Sequence, residues 1–214
     1  MKTRSLLPLM LFFTLCCAAG EELPLPPVSD TPGLPTRQAF QERRSCRSYR
    51  DEELPPETLS DLLWSANGFN RPGMRTNATG MNKQTIELYV CMKSGTYRYD
   101  AAEHTLRLAA SGDLRPAAAD RQAYAAEAPV ILLIVSDVSD PIYSSENGRM
   151  LAAYDAGIVS GNISLFCAAN GLATVCRMSM DQEKLRAALG LPETKILHLN
   201  HPVGFPKESG GEQR

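Results

Sequence analysis

Arg43-Arg44-Ser45-Cys46-Arg47-Ser48-Tyr49 places three guanidinium groups and two serine hydroxyls within seven residues. Arginine forks match phosphate oxygens two at a time, and serine hydroxyls add donors. Upstream, Thr36 is placed to cap a short helix over residues 37–44. Downstream, Tyr49 and the acidic Asp51-Glu52-Glu53 predict that the chain leaves as loop or extended backbone. Alternate residues of an extended segment share a side. Arg43, Ser45 and Arg47 would then form a cup for one phosphate monoester. A solvated basic patch is the competing reading of these residues alone, and the rest of the chain decides between the two.

Composition makes the arginine cluster a local feature. Lys and Arg total 22 against 24 Asp and Glu, a net charge of −2, with 43% hydrophobic and 21% charged residues. That balance suits one globular domain of 214 residues and excludes a global field favouring nucleic acid or an anionic membrane. Met1-Lys2-Thr3-Arg4 followed by the apolar run 6–15 and Ala18-Ala19-Gly20 predicts a secretory signal over residues 1–20. The run is too short for a transmembrane helix. The expectation is an exported protein, periplasmic or attached to the cell envelope. Lipidation at Cys16 or Cys17 is the alternative, and membrane contact is expected only in that case. Four cysteines remain after cleavage, of which Cys91 and Cys167 sit in apolar patterns that predict buried free thiols. No CxxC spacing occurs and the three histidines do not cluster with acids, so no metal site is expected.

Residues 21–35 are rich in proline and predict an extended tether, 36–208 the domain, and 209–214 a loose tail. Pro55-Pro56-Glu57 starts a helix whose apolar face is Leu59, Leu62, Leu63 and Ala66, ended by Asn67-Gly68. Trp64, the single tryptophan, is assigned to core packing. Residues 68–83 read as a long polar loop, a length that in a compact domain is usually functional or disordered. Ile86, Leu88, Val90 and Met92 alternate with polar neighbours and predict a strand, followed by returns over 97–99 and 104–108 as a meander. Residues 113–126 read as partly helical, broken at Pro116. The apolar run 129–135 predicts a central strand buried on both faces. Residues 147–170 form the longest helical pattern, with Ala153, Gly157, Gly161, Ser164 and Ala168 as a stripe of small residues. Two glycines inside a helix ask for a packing reason, expected to be a helix–helix seam within the chain or across a dimer. A strand over 172–177, a helix capped by Asp181, a strand over 195–199 and a short extended piece over 203–206 complete the chain.

Four blocks in this order resemble the nitroreductase-like FMN flavoproteins. RRSCRSY resembles the family's phosphate-binding opening. Thr79-Gly80-Met81-Asn82-Lys83-Gln84 is similar to its second flavin segment. NISLFCAANGL, residues 162–172, is similar to its central helix, and residues 181–191 with Val203-Gly204-Phe205-Pro206 to its closing block. WSANGFNRPG and YRYD place the resemblance nearer the branch related to azoline dehydrogenases. The resemblance implies an α+β fold, a three-layer α/β/α sandwich around a mostly antiparallel sheet, assembled as an intertwined homodimer. It implies FMN as cofactor. Arg43, Arg44, Ser45 and Arg47 match positions that hold the ribityl phosphate, and Asn82 and Gln84 the segment at the ribityl chain or ring edge. Cys176, Arg177, Met178 and Ser179 match the segment along the flavin ring. Family members often add a late basic residue, for which Lys207 is the near candidate. The implied activity is hydride transfer by a ping-pong sequence through flavin N5, from a donor such as NAD(P)H to a small-molecule acceptor. That chemistry requires no nucleophile or acid–base pair from the protein. The alternative is a flavin- or phosphate-ligand-binding protein without turnover on the same fold.

Overall fold

In the computed structural model, residues 22–31 and 33–207 are described. The signal at 1–20 with Cys16 and Cys17, and the tail at 209–214, lie outside the described residues.

The strongest pattern in the sequence becomes the middle of the molecule. Strand β7 (Val130–Asp137) is buried on both faces and lies in the interior of a seven-stranded sheet. The other strands are β1 (Glu22–Pro24), β4 (Ile86–Cys91), β5 (Gly95–Asp100), β6 (Thr105–Ser111), β8 (Ala173–Thr174) and β9 (Lys195–Gly204), in the order β1-β6-β5-β4-β7-β9-β8. All pairings are antiparallel. Side chains alternate across a strand. Val130, Leu132 and Ile134 therefore join helices α2 (Pro56–Asn67) and α4 (Glu146–Ala169) in one core. Ile131, Leu133 and Val135 join α3 (Arg115–Ala119) and α5 (Gln182–Leu189) in the other. The result is the α/β/α sandwich the sequence predicts.

Helix α1 (Thr36–Glu42) precedes the arginine cluster. Thr36 is its first residue rather than its cap, and its side chain makes no capping bond. Asp181 does cap α5, accepting from Lys184 N at 3.0 Å, and Gly190 closes that helix at φ 59°.

Four expectations change. Residues 22–31 are not a free tether. β1 pairs with β6, Ser60 Oγ donates to Pro26 O at 2.6 Å, and Ser29 N donates to Asp61 at 2.8 Å. Proline is tolerated there because β1 is an edge strand. Pro116 opens α3 instead of breaking a helix, since the first turn needs no N–H from it. β9 is one strand of ten residues, with His198 as the extra residue of a bulge opposite Ile134 and Val135. Trp64 is only partly buried, and its Nε1 donates to Phe69 O at 3.0 Å.

Two substitutions separate strap from core. Leu132→Ala removes a fully buried side chain and is expected to cost about 2–5 kcal/mol of global stability by denaturant titration. Ser60→Ala is expected to cost about 1 kcal/mol, read as faster exchange of the Leu25 amide, which bonds His104 O, with the β7 amides unchanged.

Candidate functional site

Helix α4 is the ruler along which the candidate residues fall. Its inner face carries Ala152, Ala156, Val159, Ile163 and Cys167 into the core. Two polar residues, Asp155 and Ser160, are buried beside them. Asp155 takes the Gly80 N–H on both oxygens, at 3.1 and 3.2 Å. Ser160 Oγ donates to Cys176 Sγ at 3.2 Å and lies 2.8 Å from His201 Nε2. Further along, Ser164, Cys167 and Ala168 line a cleft of about 330 Å³ with Arg44, Cys46 and Thr174. At 1.5 Å per residue, Asp155 to Ala168 spans about 20 Å.

The arginine segment is extended and pinned at three points. Cys46 N donates to Thr174 O at 2.9 Å, and the buried Tyr49 donates its hydroxyl to Cys46 O at 2.9 Å. Tyr49 also bridges to Pro206 beyond β9. Desolvation pushes the Tyr49 hydroxyl pKa well up, so it stays a donor. Alternation then sets the directions of the side chains. Arg44 lines the first cleft and Arg47 a second of about 330 Å³, shared with Tyr124, Cys176, Arg177, Met178 and Ser179. Arg43 and Ser45 are exposed on the same segment. Among the described residues, Arg43, Arg44 and Arg47 form no ion pair, whereas Arg50, Arg98, Arg107 and Arg115 all do.

The second cleft divides the predicted ring segment. Cys176 is exposed and Met178 is 76% exposed. Ser179 Oγ donates to Asp120 at 2.9 Å. The Arg177 side chain is buried and committed to protein partners. It donates to Gln122 at 2.9 Å, Ala118 O at 3.1 Å, Asn200 at 2.7 Å and Ala119 O at 2.6 Å. Its backbone pairs with Asn200 in both directions. These bonds make Arg177 a brace in the wall of the second cleft.

Residues 68–83 are not an irregular loop throughout. They contain a small hairpin, β2 (Phe69–Arg71) with β3 (Met74–Arg75), and a 3-10 turn at Gly80–Asn82. Asn82 and Gln84 lie at the Asp155 end of α4, in neither cleft. The Gln84 amide is committed within the loop. Oε1 accepts from Arg75 Nε at 3.1 Å, and Nε2 donates to Gly73 O at 2.7 Å and Asn82 Oδ1 at 2.8 Å. Asn82 is exposed. Arg75 lies over the Phe69 ring at 4.2 Å and donates to Asn67 O at 2.8 Å; burial pulls its pKa down. Lys207 pairs with Glu127 at 3.0 Å.

Sequence reading gave no role to Asp155, Ser160 or His201. The signal for Asp155 was present, since it is the only charge between Arg149 and Asn170. Burial pushes its carboxyl up, against the opposing pull of the Gly80 hydrogen bond. His201 is fully buried, with Thr174 Oγ1 3.1 Å from Nδ1 and Ser160 Oγ on the other nitrogen. Ser160 and Thr174 each carry a hydroxyl that can donate or accept, so between them they satisfy both ring nitrogens of His201. The free thiols of Cys91 and Cys167 are buried as expected, with desolvation pushing Cys91 up to about 12.

Residues 40–205 match the family model described as the nitroreductase family. A protein of Thermus thermophilus described as an NADH dehydrogenase is 26% identical over 208 residues, spanning 84% of this chain and 90% of that one. The crystal structure of a protein from Ralstonia eutropha JMP134, described as a nitroreductase, superposes with a TM-score of 0.80 at 29% identity, covering 89% of this chain and 92% of its own. B. megaterium NfrA2 shares the fold at a TM-score of 0.64 and 19% identity, over 84% of this chain and 69% of that one.

His201 gives a pH signature. Burial lowers its pKa from 6.5 to about 3, so the folded chain stays unprotonated there while the unfolded chain takes up the proton. Its contribution is full above the unfolded value and is lost as pH falls through the window between the two. From neutrality to about pH 5 the loss is about 2 kcal/mol. Denaturant titrations should show the stability gap between wild type and His201→Gln narrowing by that amount. A constant gap would refute the assignment.

Proposed function

The chain belongs to the nitroreductase family of oxidoreductases, and on that premise we propose that it binds FMN and passes hydride from a reduced donor to a small-molecule acceptor. The observation that carries the cofactor is the donor set at residues 43–47. Three guanidinium groups and the Ser45 hydroxyl are exposed on one pinned, extended segment, and those guanidinium groups form no ion pair among the described residues. Such forks and hydroxyls suit the phosphate of FMN. Arg47, with Arg43 and Ser45 on the same side of the extended segment, would hold it, while Arg44 lines the other cleft. Asn82, Cys176, Met178 and Ser179 would meet the ribityl chain and ring, with Arg177 and Gln84 as braces behind them. The strip along α4 is comparable with the extended length of such a ligand. Bound FMN would supply two-electron chemistry at N5 in a ping-pong sequence, with a reduced nicotinamide as the expected donor.

The same reading takes the protein to be a homodimer across α4. Gly148 is explained inside the chain, because a Cβ there would meet Ile142 O at 2.1 Å. Gly157 and Gly161 are not, since a Cβ at either meets nothing within 4 Å. Ala153, Tyr154, Gly157, Ile158 and Gly161 are exposed beside Met150. This open apolar face is where a second copy could approach closely. Export to the periplasm or envelope rests on residues 1–20 alone.

Purified protein saturated with FMN should be yellow, bleach on reduction with NADH, NADPH or dithionite, and regain colour with a quinone or nitroaromatic. Arg43→Ala with Arg47→Ala should weaken FMN binding by about 1.5–3 kcal/mol per contact, measured by flavin fluorescence titration. A protein that takes up no flavin refutes the proposal. One that binds flavin but never reoxidises with any acceptor is a binding protein instead.

A further inference from the structure

The turn joining β3 to β4 holds a conformation that L-residues avoid. Met81, Asn82 and Gln84 take φ of 50°, 53° and 52°, three left-handed residues in four positions with no glycine among them. Such strain persists only where surrounding contacts over-determine it. Here the contact to the body of the protein comes from the inner face of α4. The Gly80 N–H meets both oxygens of Asp155, a buried carboxylate. Gly80 sits so close to the helix that a Cβ would lie 2.7 Å from both Leu151 methyls. Within the turn, Thr79 Oγ1 accepts from Gln84 N at 3.1 Å, and at its rim Lys83 pairs with Asp140 at 2.6 Å.

The choice of anchor is costly. A buried charge is expensive unless it is paired, and a neutral amide could accept one N–H. The consequence is a turn held tightly on its helix side. Met81 is 65% exposed and Asn82 is exposed.

We propose that Asp155 is a positioning residue for the cofactor: through Gly80 it holds the strained turn in the form that presents Met81 and Asn82 to the flavin ring and ribityl chain. This rests on the FMN reading above. Asp155 itself lies behind the turn and touches no ligand. Its role is therefore separable from that of the arginine segment, which acts on the phosphate alone.

The test compares FMN with riboflavin, which has the ring and ribityl chain but no phosphate. Affinities are read by fluorescence titration, and the ring environment by the visible circular dichroism of the bound flavin. Asp155→Ala is expected to weaken FMN and riboflavin by the same factor, about tenfold, and to change the dichroism of the ring. Asp155→Asn, which keeps one acceptor oxygen for Gly80, should stay within about threefold of wild type. Arg43→Ala with Arg47→Ala should weaken FMN and spare riboflavin. Should Asp155→Ala fail to fold, Gly80→Ala displaces the same turn with Asp155 intact. It should give the ring phenotype, and adding Leu151→Ala should restore wild-type behaviour. Asp155→Ala that lowers the melting temperature but leaves both affinities and the dichroism unchanged overturns the inference while the FMN reading stands. Wild-type protein that binds neither flavin overturns both.

Discussion

The carboxylate of Asp155 and the hydroxyl of Ser160 are two buried points at which the central helix takes hold of the segments that lie over it. The inner face of α4 supplies core at Ala152, Ala156, Val159, Ile163 and Cys167. A helix packed by those residues alone would fix its own position and nothing else. With Asp155 bonded to the Gly80 turn and Ser160 to Cys176 and His201, the same helix also fixes where two distant stretches of chain lie. Thr174 extends the arrangement by one step, since its hydroxyl meets His201 and its carbonyl takes the Cys46 N–H. The arginine segment, residues 174–176 and the central helix are thereby joined by hydrogen bonds, each made in a buried or half-buried setting. Leaving one partner unmatched there costs more than the bond gains.

What the sequence made legible follows from where the physics is local. Period-two alternation marked β4 and the meander, and an apolar run marked β7, because burial on one face or two writes itself into consecutive residues. Asp181 and Gly190 marked the ends of α5 for the same reason. The failures share the opposite cause. Proline-rich residues 22–24 became an edge strand because β6 offered unpaired backbone, which nothing in residues 21–35 announces. Trp64 stayed partly exposed because its indole N–H found Phe69 O.

The candidate site divides the same way. The arginine cluster is contiguous in sequence and could be read directly. Arg177 and Gln84 carry suitable donors, yet other groups of the protein claim them, distant carbonyls for Arg177 and its own loop for Gln84. Ala118 and Ala119 are roughly sixty residues before Arg177, and their carbonyls present no sequence pattern. Asp155 is legible only as an anomaly, a charge in an apolar stretch of helix, and His201 is one of several polar residues of β9 with nothing to set it apart. An anomaly signals that a partner exists without saying which.

The glycines of α4 show how one residue type answers two demands. Gly148 is required by the chain itself, because the carbonyl of Ile142 occupies the space a side chain would need. Gly157 and Gly161 face open space, and in an isolated chain alanine would be the better helix former at both. The helix therefore accepts a conformational cost with no return inside the subunit, on the face that also exposes Tyr154 and Ile158. The buried side of the same helix is under the opposite constraint, since Gly80 lies so close to Leu151 that any side chain there would clash.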